Sequence, residues 1–340
     1  MSAVSLIFRK RLSQYNSIEE VFKRIISHFE GQIHFDICEM KHPSNSAGNL
    51  LKNIIKVSKY RSAVYHITGD VHYVSLGLTG YKTILTIHDF YSARRGNWFN
   101  RLIIRIIWYY LPAWKVRFIT VISNYSREEL LKIIPFAREK IRVIPNPLMI
   151  LSGPFLRNLN KEKPCILMVG TKPNKNLEGM LEACKEISCT VKILGKLKEQ
   201  QVKLLYSYEI TYANYYNISY DKVIELYKDC DLLFFASFEE GFGLPILEAQ
   251  GVGRPVITSN STAMPDTAGE GACLVDPHSV ESMREGLKKV INEDEYREDL
   301  LKKGLENLKR FDPERIANMY MDLYKEVAGE EKQKKLKTES

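Results

Sequence analysis

The stretch Ser237-Phe-Glu-Glu-Gly-Phe-Gly-Leu-Pro-Ile-Leu-Glu248 sets two acids, Glu240 and Glu248, on either side of a turn rich in Gly and Pro. An apolar run, DLLFFAS (231–237), leads in, and an apolar helical pattern leads out. Gly241 and Gly243 permit a tight turn and a close approach of backbone to a ligand. Pro245 suits the first helical position. The N–H groups of Phe242, Gly243 and Leu244 then point out of a helix N-terminus, which is a seat for an anion. Glu248 falls about one turn inside the helix and Glu240 at the strand exit, so the two carboxylates meet different parts of one ligand. Taken alone, the stretch serves a structural role equally well, with Glu240 capping the helix and Glu248 pairing with a surface base.

The elements that must hold these acids recur along the chain. Short β-type runs lie at 2–8, 32–38, 63–69, 82–89, 117–123 and 141–146, and again at 164–170, 190–195, 231–237, 255–260 and 272–277. Near-continuous apolar runs that end in small or polar residues fit parallel strands buried on both faces. Helical patterns lie between them, such as SIEEVFKRIISHFEG, which opens on a Ser17-x-x-Glu20 capping box. The expected fold class is therefore α/β, with two Rossmann-like, doubly wound domains facing across a cleft lined by the carboxyl ends of the strands. Residues 1–150 form the first domain, 151–163 a linker and 164–328 the second domain. The final helix is a candidate to cross back to the first domain, and 329–340 is a charged tail.

At 340 residues the chain suits two domains of ordinary size, and its composition, 45% hydrophobic and 26% charged, excludes disorder. No apolar run reaches the ~18 residues that span a bilayer. The first residues place bases after a short apolar run, the wrong order for a signal peptide. Six cysteines without a C-x-x-C pair fit neither zinc nor a disulfide framework and point to a reducing cytosol. The net charge of +8 is uneven. Residues 1–150 hold 22 Lys and Arg against 10 Asp and Glu, whereas the remainder is slightly acidic. This asymmetry points to an anionic partner for the first half, against the plainer reading of a solvated basic face.

EGFGLPILEAQGVGRPVITS, with its E-x7-E spacing, resembles the signature of the family 4 retaining glycosyltransferases of GT-B fold. Other pieces match in the same order: TIHDF (86–90), VISNYSREEL (121–130), VIPNP (143–147) and VGTKPNKNLEGMLEA (169–183). The match covers 82–328, and residues 1–60 depart from it. The resemblance implies a metal-independent enzyme without a cofactor that moves a sugar from a nucleotide diphosphate-sugar to an acceptor hydroxyl. It implies that Glu240 contacts the transferred sugar, that Glu248 binds ribose hydroxyls and that Lys175 neutralises the diphosphate held at Phe242, Gly243 and Leu244. Many members carry an arginine just after the loop glycine. Here Thr171 and Lys172 stand in its place, Thr171 offering one hydrogen bond and Lys172 the charge. His88, at a strand end, corresponds to a residue that approaches the donor sugar from the acceptor side.

On the acceptor side the glycine-rich loop common in the family is replaced by FRKRLSQYNS (8–17), where Arg9, Lys10 and Arg11 could hold an acceptor phosphate or form a basic surface loop. Gly69, Asp70 and His72 follow another strand, with acceptor binding and loop structure weighing equally. Asp229-Cys230-Asp231 spells the D-x-D of metal-dependent transferases, but it precedes its strand, so no metal site is expected. The segment 97–118 holds all three tryptophans with Arg101, Arg105, Lys115 and Arg117 and no acid, which suits a peripheral contact with a membrane. Its leucines and isoleucines are expected in the core. The setting that follows is assembly of a lipid-linked surface polysaccharide at the inner face of the cytoplasmic membrane, with a lipid-linked or anionic acceptor. A nucleotide-sugar epimerase of the same architecture and a non-catalytic nucleotide-sugar-binding subunit are the rival readings. No motif for nucleic acid accompanies the charge.

Overall fold

The structure, a computed structural model, describes residues 3–10, 17–29, 31–88, 90, 97–150, 153–155 and 157–329. Arg11, Asp89 and the charged tail from Glu330 onward lie outside the described residues. The chain divides into two compact units, residues 1–147 with 313–340, and residues 148–312.

In the first unit six strands, β1 (Val4–Phe8), β2 (Phe35–Glu39), β3 (Val64–Ile67), β4 (Thr83–Ile87), β5 (Phe118–Val121) and β6 (Ile141–Val143), form a parallel sheet in the order β2-β1-β3-β4-β5-β6. All residues of β1, β3, β4 and β5 are buried, the expected outcome for apolar runs covered on both faces. The helices are α1 (Ser17–Ile26), α2 (Ala47–Ser58), α3 (Trp98–Ile104), α4 (Leu111–Lys115) and α5 (Asn124–Ile133), with a π-helical stretch, Arg105–Tyr110, joining α3 to α4.

The second unit carries β7 (Cys165–Val169), β8 (Thr190–Leu194), β9 (Thr211–Tyr215), β10 (Leu232–Phe235), β11 (Val256–Ser259) and β12 (Cys273–Val275), again all parallel, in the order β12-β11-β10-β7-β8-β9. Its helices are α6 (Leu177–Cys184), α7 (Glu199–Ser207), α8 (Tyr220–Lys228), α9 (Leu244–Gly251), α10 (Met264–Ala268), α11 (Val280–Asn292) and α12 (Asp294–Asn307). Phe234 and Phe235 at its centre are fully buried, each contributing roughly 1.5–3 kcal/mol through removal from water. All eleven runs picked out in the sequence become strands, and among the described residues one further strand appears. TYANY forms the edge strand β9, whose residues are exposed or half-buried and so carry no apolar run to read.

The last helix, α13 (Pro313–Ala328), belongs to the first unit. Its Tyr324 hydroxyl is hydrogen-bonded to Nδ1 of the buried His66 at 2.8 Å, and Thr86 holds Nε2 at 2.7 Å. Phe22 packs against the rings of His66 and Tyr320 at 5.0 and 5.8 Å. Burial, with the neighbouring His88 adding to it, pushes the His66 imidazole down to about 3. Leu148, expected in the first domain, and Phe155, expected in the linker, are both fastened to the second unit: the Leu148 N–H donates to the Phe311 carbonyl at 2.8 Å and the Phe155 N–H to the Val252 carbonyl at 3.1 Å.

Segment 97–118 departs from expectation. Ile104 and Ile107 pack on the core as expected, but Leu102, Ile103 and Ile106 are exposed; of the tryptophans, Trp98 and Trp114 are exposed and Trp108 packs on Tyr73 at 5.1 Å. Lys115 donates to the Leu76 carbonyl at 2.8 Å, so its ammonium is turned to the protein.

Candidate active site

In the second sheet the chain winds outward from the middle in both directions, so the reversal falls between the adjacent strands β7 and β10. Loops leaving the carboxyl ends of two such strands part to opposite faces and open a crevice for a ligand. Those loops are Gly170–Asn176 and Ala236–Gly243, the two that hold Lys175 and Glu240. Lys175 Nζ donates to Glu240 Oε1 at 2.6 Å, with both side chains mostly shielded from water. The backbone joins them further. Phe238 N–H donates to the Asn174 carbonyl at 2.8 Å, and Asn174 Nδ2 donates to the Glu239 carbonyl at 3.1 Å. Asn176, in the left-handed conformation (φ +54°), sends its buried amide to the carbonyls of Ala236 at 3.1 Å and Pro277 at 2.8 Å. Gly170 sits at φ +96°, and a Cβ there would fall 2.6 Å from Lys175 Cγ, so the stem of the lysine lies in the space a side chain would fill.

Downstream of Glu240 the turn is built as the sequence suggests, with one difference. Gly243 is in the left-handed region (φ +107°) and precedes α9, which has Pro245 in its first turn, whereas Gly241 has no positive φ. Phe242 is fixed from three sides: it is buried, its carbonyl accepts the Thr267 hydroxyl at 2.6 Å, and its ring meets Phe311 edge-on at 5.6 Å. Glu240 N–H donates to Thr262 Oγ1 at 3.4 Å. One turn into α9, Glu248 is only 8% exposed and accepts the Tyr220 hydroxyl at 3.1 Å. Burial pushes its carboxyl upward, against which the hydroxyls of Tyr227 and Tyr220 act. A carboxylate so placed, with no cation paired to it among the described residues, gains from any further hydroxyl that reaches it. Thr171 differs from expectation, because its hydroxyl donates to the Lys196 carbonyl at 2.8 Å. Lys172 is exposed at the loop's edge.

The first unit has its own reversal, between β1 and β3. Arg9, just past β1, lies 3.4 Å from Glu19 and 3.7 Å from Asp70, so two acids share its charge; Lys10 is exposed. Gly69 is the seat of a histidine: a Cβ there would fall 3.1 Å from Cδ2 of His88. His88 Nε2–H donates to the Thr68 carbonyl at 2.8 Å, which fixes the ring at the end of β4. Asp70 is exposed, in the left-handed region at φ +27°. His72 was read as possible acceptor lining, and the structure corrects this. It is buried, donates Nδ1–H to the Trp108 carbonyl at 2.8 Å and packs edge-on against Tyr109 at 5.5 Å, which makes it a prop for the π-helical stretch.

Asp231 stands at the amino end of β10, the far end from Glu240, and accepts from Arg157 Nε at 2.8 Å and from the Cys165 N–H at 2.7 Å. Both of its oxygens are thereby engaged in fastening the strand starts. Asn174, Asn176, Tyr220 and Thr262 were not singled out in the sequence. Left-handed Asn176 has a signal in principle, since asparagine tolerates that conformation better than most residues.

Two family patterns match consecutive parts of the chain: "Glycosyltransferase Family 4" over residues 34–148 and "Glycosyl transferases group 1" over residues 154–307. Among curated proteins, the O-antigen chain mannosyltransferase B of Escherichia coli is 26% identical over 234 residues, 62% of this chain and 60% of that protein. The chain thus spans less than two thirds of that relative's length. Among solved structures, sucrose-phosphate synthase from Thermosynechococcus elongatus superposes with a TM-score of 0.76 at 17% identity, covering 96% of this chain and 99% of that one. HepE of Anabaena, solved with UDP and glucose, gives 0.70 at 14% identity over 94% and 98%. At these identities the structures speak for the fold alone. With both sheets, the two family patterns and the E-x7-E turn in agreement, the chain belongs to the family 4 glycosyltransferases of GT-B fold.

Proposed function

We propose that this protein transfers a hexosyl group from a nucleotide diphosphate-sugar to an acceptor hydroxyl, with retention of configuration, in the assembly of a surface polysaccharide. The observation that carries the reading is the Lys175–Glu240 pair at the sheet's reversal, beside the N-terminus of α9. A diphosphate arriving there would be met by the ammonium of Lys175 and by outward N–H groups around Gly243 and Leu244. Both stabilise the negative charge that builds up as the nucleotide leaves. Drawing Lys175 toward phosphate would free Glu240 to face the sugar, where a carboxylate stabilises a carbon that becomes positively charged. Glu248 would hold ribose hydroxyls. The O-antigen mannosyltransferase among the relatives supports a mannosyl donor and a lipid-linked acceptor, and it motivates placing the protein at a membrane surface. The UDP bound by HepE makes uridine donors the second to test.

The test is donor binding and turnover in parallel. Thermal-shift screening against GDP-, UDP- and ADP-sugars identifies the nucleotide, and donor hydrolysis then reports the chemistry. Glu240→Gln is expected to abolish hydrolysis and transfer while nucleotide affinity stays within a few fold. Near-normal turnover by the folded variant would remove Glu240 from the reaction centre. Interconversion of a UDP-sugar without acceptor would favour the epimerase instead.

A further inference from the structure

The chain from Trp98 to Arg117 puts apolar side chains on both of its sides. Ile104, Ile107, Trp108, Tyr109 and Ala113 pack into the core of the first unit. Phe99, Ile103, Ile106, Tyr110 and Trp114, spaced by three and four residues, are exposed and form a stripe along the outside. Trp98 at one end is 70% exposed and Trp114 at the other 77%. Tyr110 meets Phe136, itself exposed, at 5.5 Å, which widens the stripe beyond this segment. Lys140 donates to the carbonyls of Ala113, Trp114 and Val116, so the segment's end is fixed while the Trp114 ring is left in water. Apolar surface of this continuity is rare on a protein that meets only water.

Charge identifies the occupant. Arg101 and Arg105 are exposed one turn apart within the same stretch, and the chain holds no acidic residue from Phe90 to Arg127. A second copy of this chain is a poor fit, because a two-fold contact would set Arg101 and Arg105 near copies of themselves with no acid to pair them. Indole rings at the ends of an apolar stripe, with guanidinium groups beside it, match the layered chemistry of a lipid interface: acyl chains, then carbonyls, then phosphates. We propose that the stripe from Trp98 to Trp114 is a docking surface for an anionic lipid bilayer, with the rings entering the headgroup layer and Arg101 and Arg105 meeting lipid phosphate. This proposal stands on the surface itself and does not depend on the transfer reaction.

The experiment is co-sedimentation of the full chain with vesicles of phosphatidylcholine, alone or mixed with phosphatidylglycerol. Binding to the mixed vesicles is expected to be at least tenfold stronger and to fade as salt shortens the screening length below ~8 Å. Each cation near the surface is worth about fivefold in partitioning, so Arg101→Gln with Arg105→Gln is expected to lower binding to anionic vesicles about 30-fold. Trp98→Ser with Trp114→Ser is expected to lower binding to both kinds. Tyr206→Ser, which removes an exposed ring from the second unit, is expected to change nothing. Unaltered circular dichroism and melting would certify each variant as folded. Failure of the wild type to bind anionic vesicles at low salt, or equal binding to both kinds, would overturn the proposal. So would a doubled mass in light scattering that the tryptophan variant abolishes, since the stripe would then be a contact between copies. Donor hydrolysis without vesicles, measured on the same samples, reports on the transfer reaction separately.

Discussion

Glu248 illustrates how a single side chain is tuned by its place. It is buried in α9, accepts the Tyr220 hydroxyl at 3.1 Å with the Tyr227 hydroxyl also acting on it, and has no cation in its ion-pair shell among the described residues. A carboxylate in that setting binds hydroxyl groups strongly, because each one relieves the burial of its charge. Glu248→Ala is expected to weaken nucleotide binding by about 1.5–3 kcal/mol, the worth of hydrogen bonds to a charged group. Isothermal titration checks it, and unchanged affinity would dismiss the ribose assignment. Since burial raises its pKa, wild-type affinity is also expected to fade on acidification while still above the ordinary carboxylate range, and Glu248→Gln to lack that step. At this scale the sequence was readable for position, since Lys175 and Glu240 follow the ends of β7 and β10 and meet there. It was silent on Asn176 and Thr262, whose roles depend on left-handed backbone (φ +54° and +58°) that emerges only once the loops meet. His72 was ambiguous because a histidine after a strand looks alike whether it faces a ligand or the interior.

Among the elements, β10 is read differently at its two ends. Its carboxyl end delivers Glu240, while its amino end is secured by Asp231, which engages Arg157 and the Cys165 N–H at the start of β7. Asp231→Ala is expected to lower stability by about 1–3 kcal/mol, chiefly by leaving the part-buried Cys165 N–H without its acceptor, with Arg157 adding little because it is part-exposed. Chemical denaturation measures this. Activity is expected to survive excess EDTA, and loss on chelation with rescue by manganese would contradict the structural assignment of Asp231. Strand polarity was decidable from the order of motif and apolar run, which is why the acid pair could be placed in the sequence. The exposure of α3 could not, because a stripe of Phe, Leu and Ile at helical spacing has the same pattern whether it faces a core or a lipid surface. Only the presence of a second apolar side, filled by Trp108 and Tyr109, shows that the outer one is surplus to the core.

For the molecule as a whole, the buried His66 links folding to pH. The unfolded chain takes up a proton near pH 6.5, whereas the folded chain refuses it until about 3. Stability is therefore full above that upper value and declines as pH falls through the window, by on the order of 4 kcal/mol at its lower end. Urea midpoints recorded across this range should show the decline in the wild type and a flatter profile in His66→Gln. A parallel profile in both would assign acid sensitivity elsewhere. The ring lies between Thr86 of the sheet and Tyr324 of α13, a helix that follows some 165 residues of the other unit, 148–312. During synthesis the first unit thus leaves the ribosome with one part still missing, and His66, Phe22 and the sheet beside them wait uncovered until α13 follows the second unit out. Completion of the first unit is a late event that reports on the integrity of everything translated before it. A chain cut short after Asp312 would carry every strand of both sheets and still present an open apolar face to the cell's proteases and chaperones.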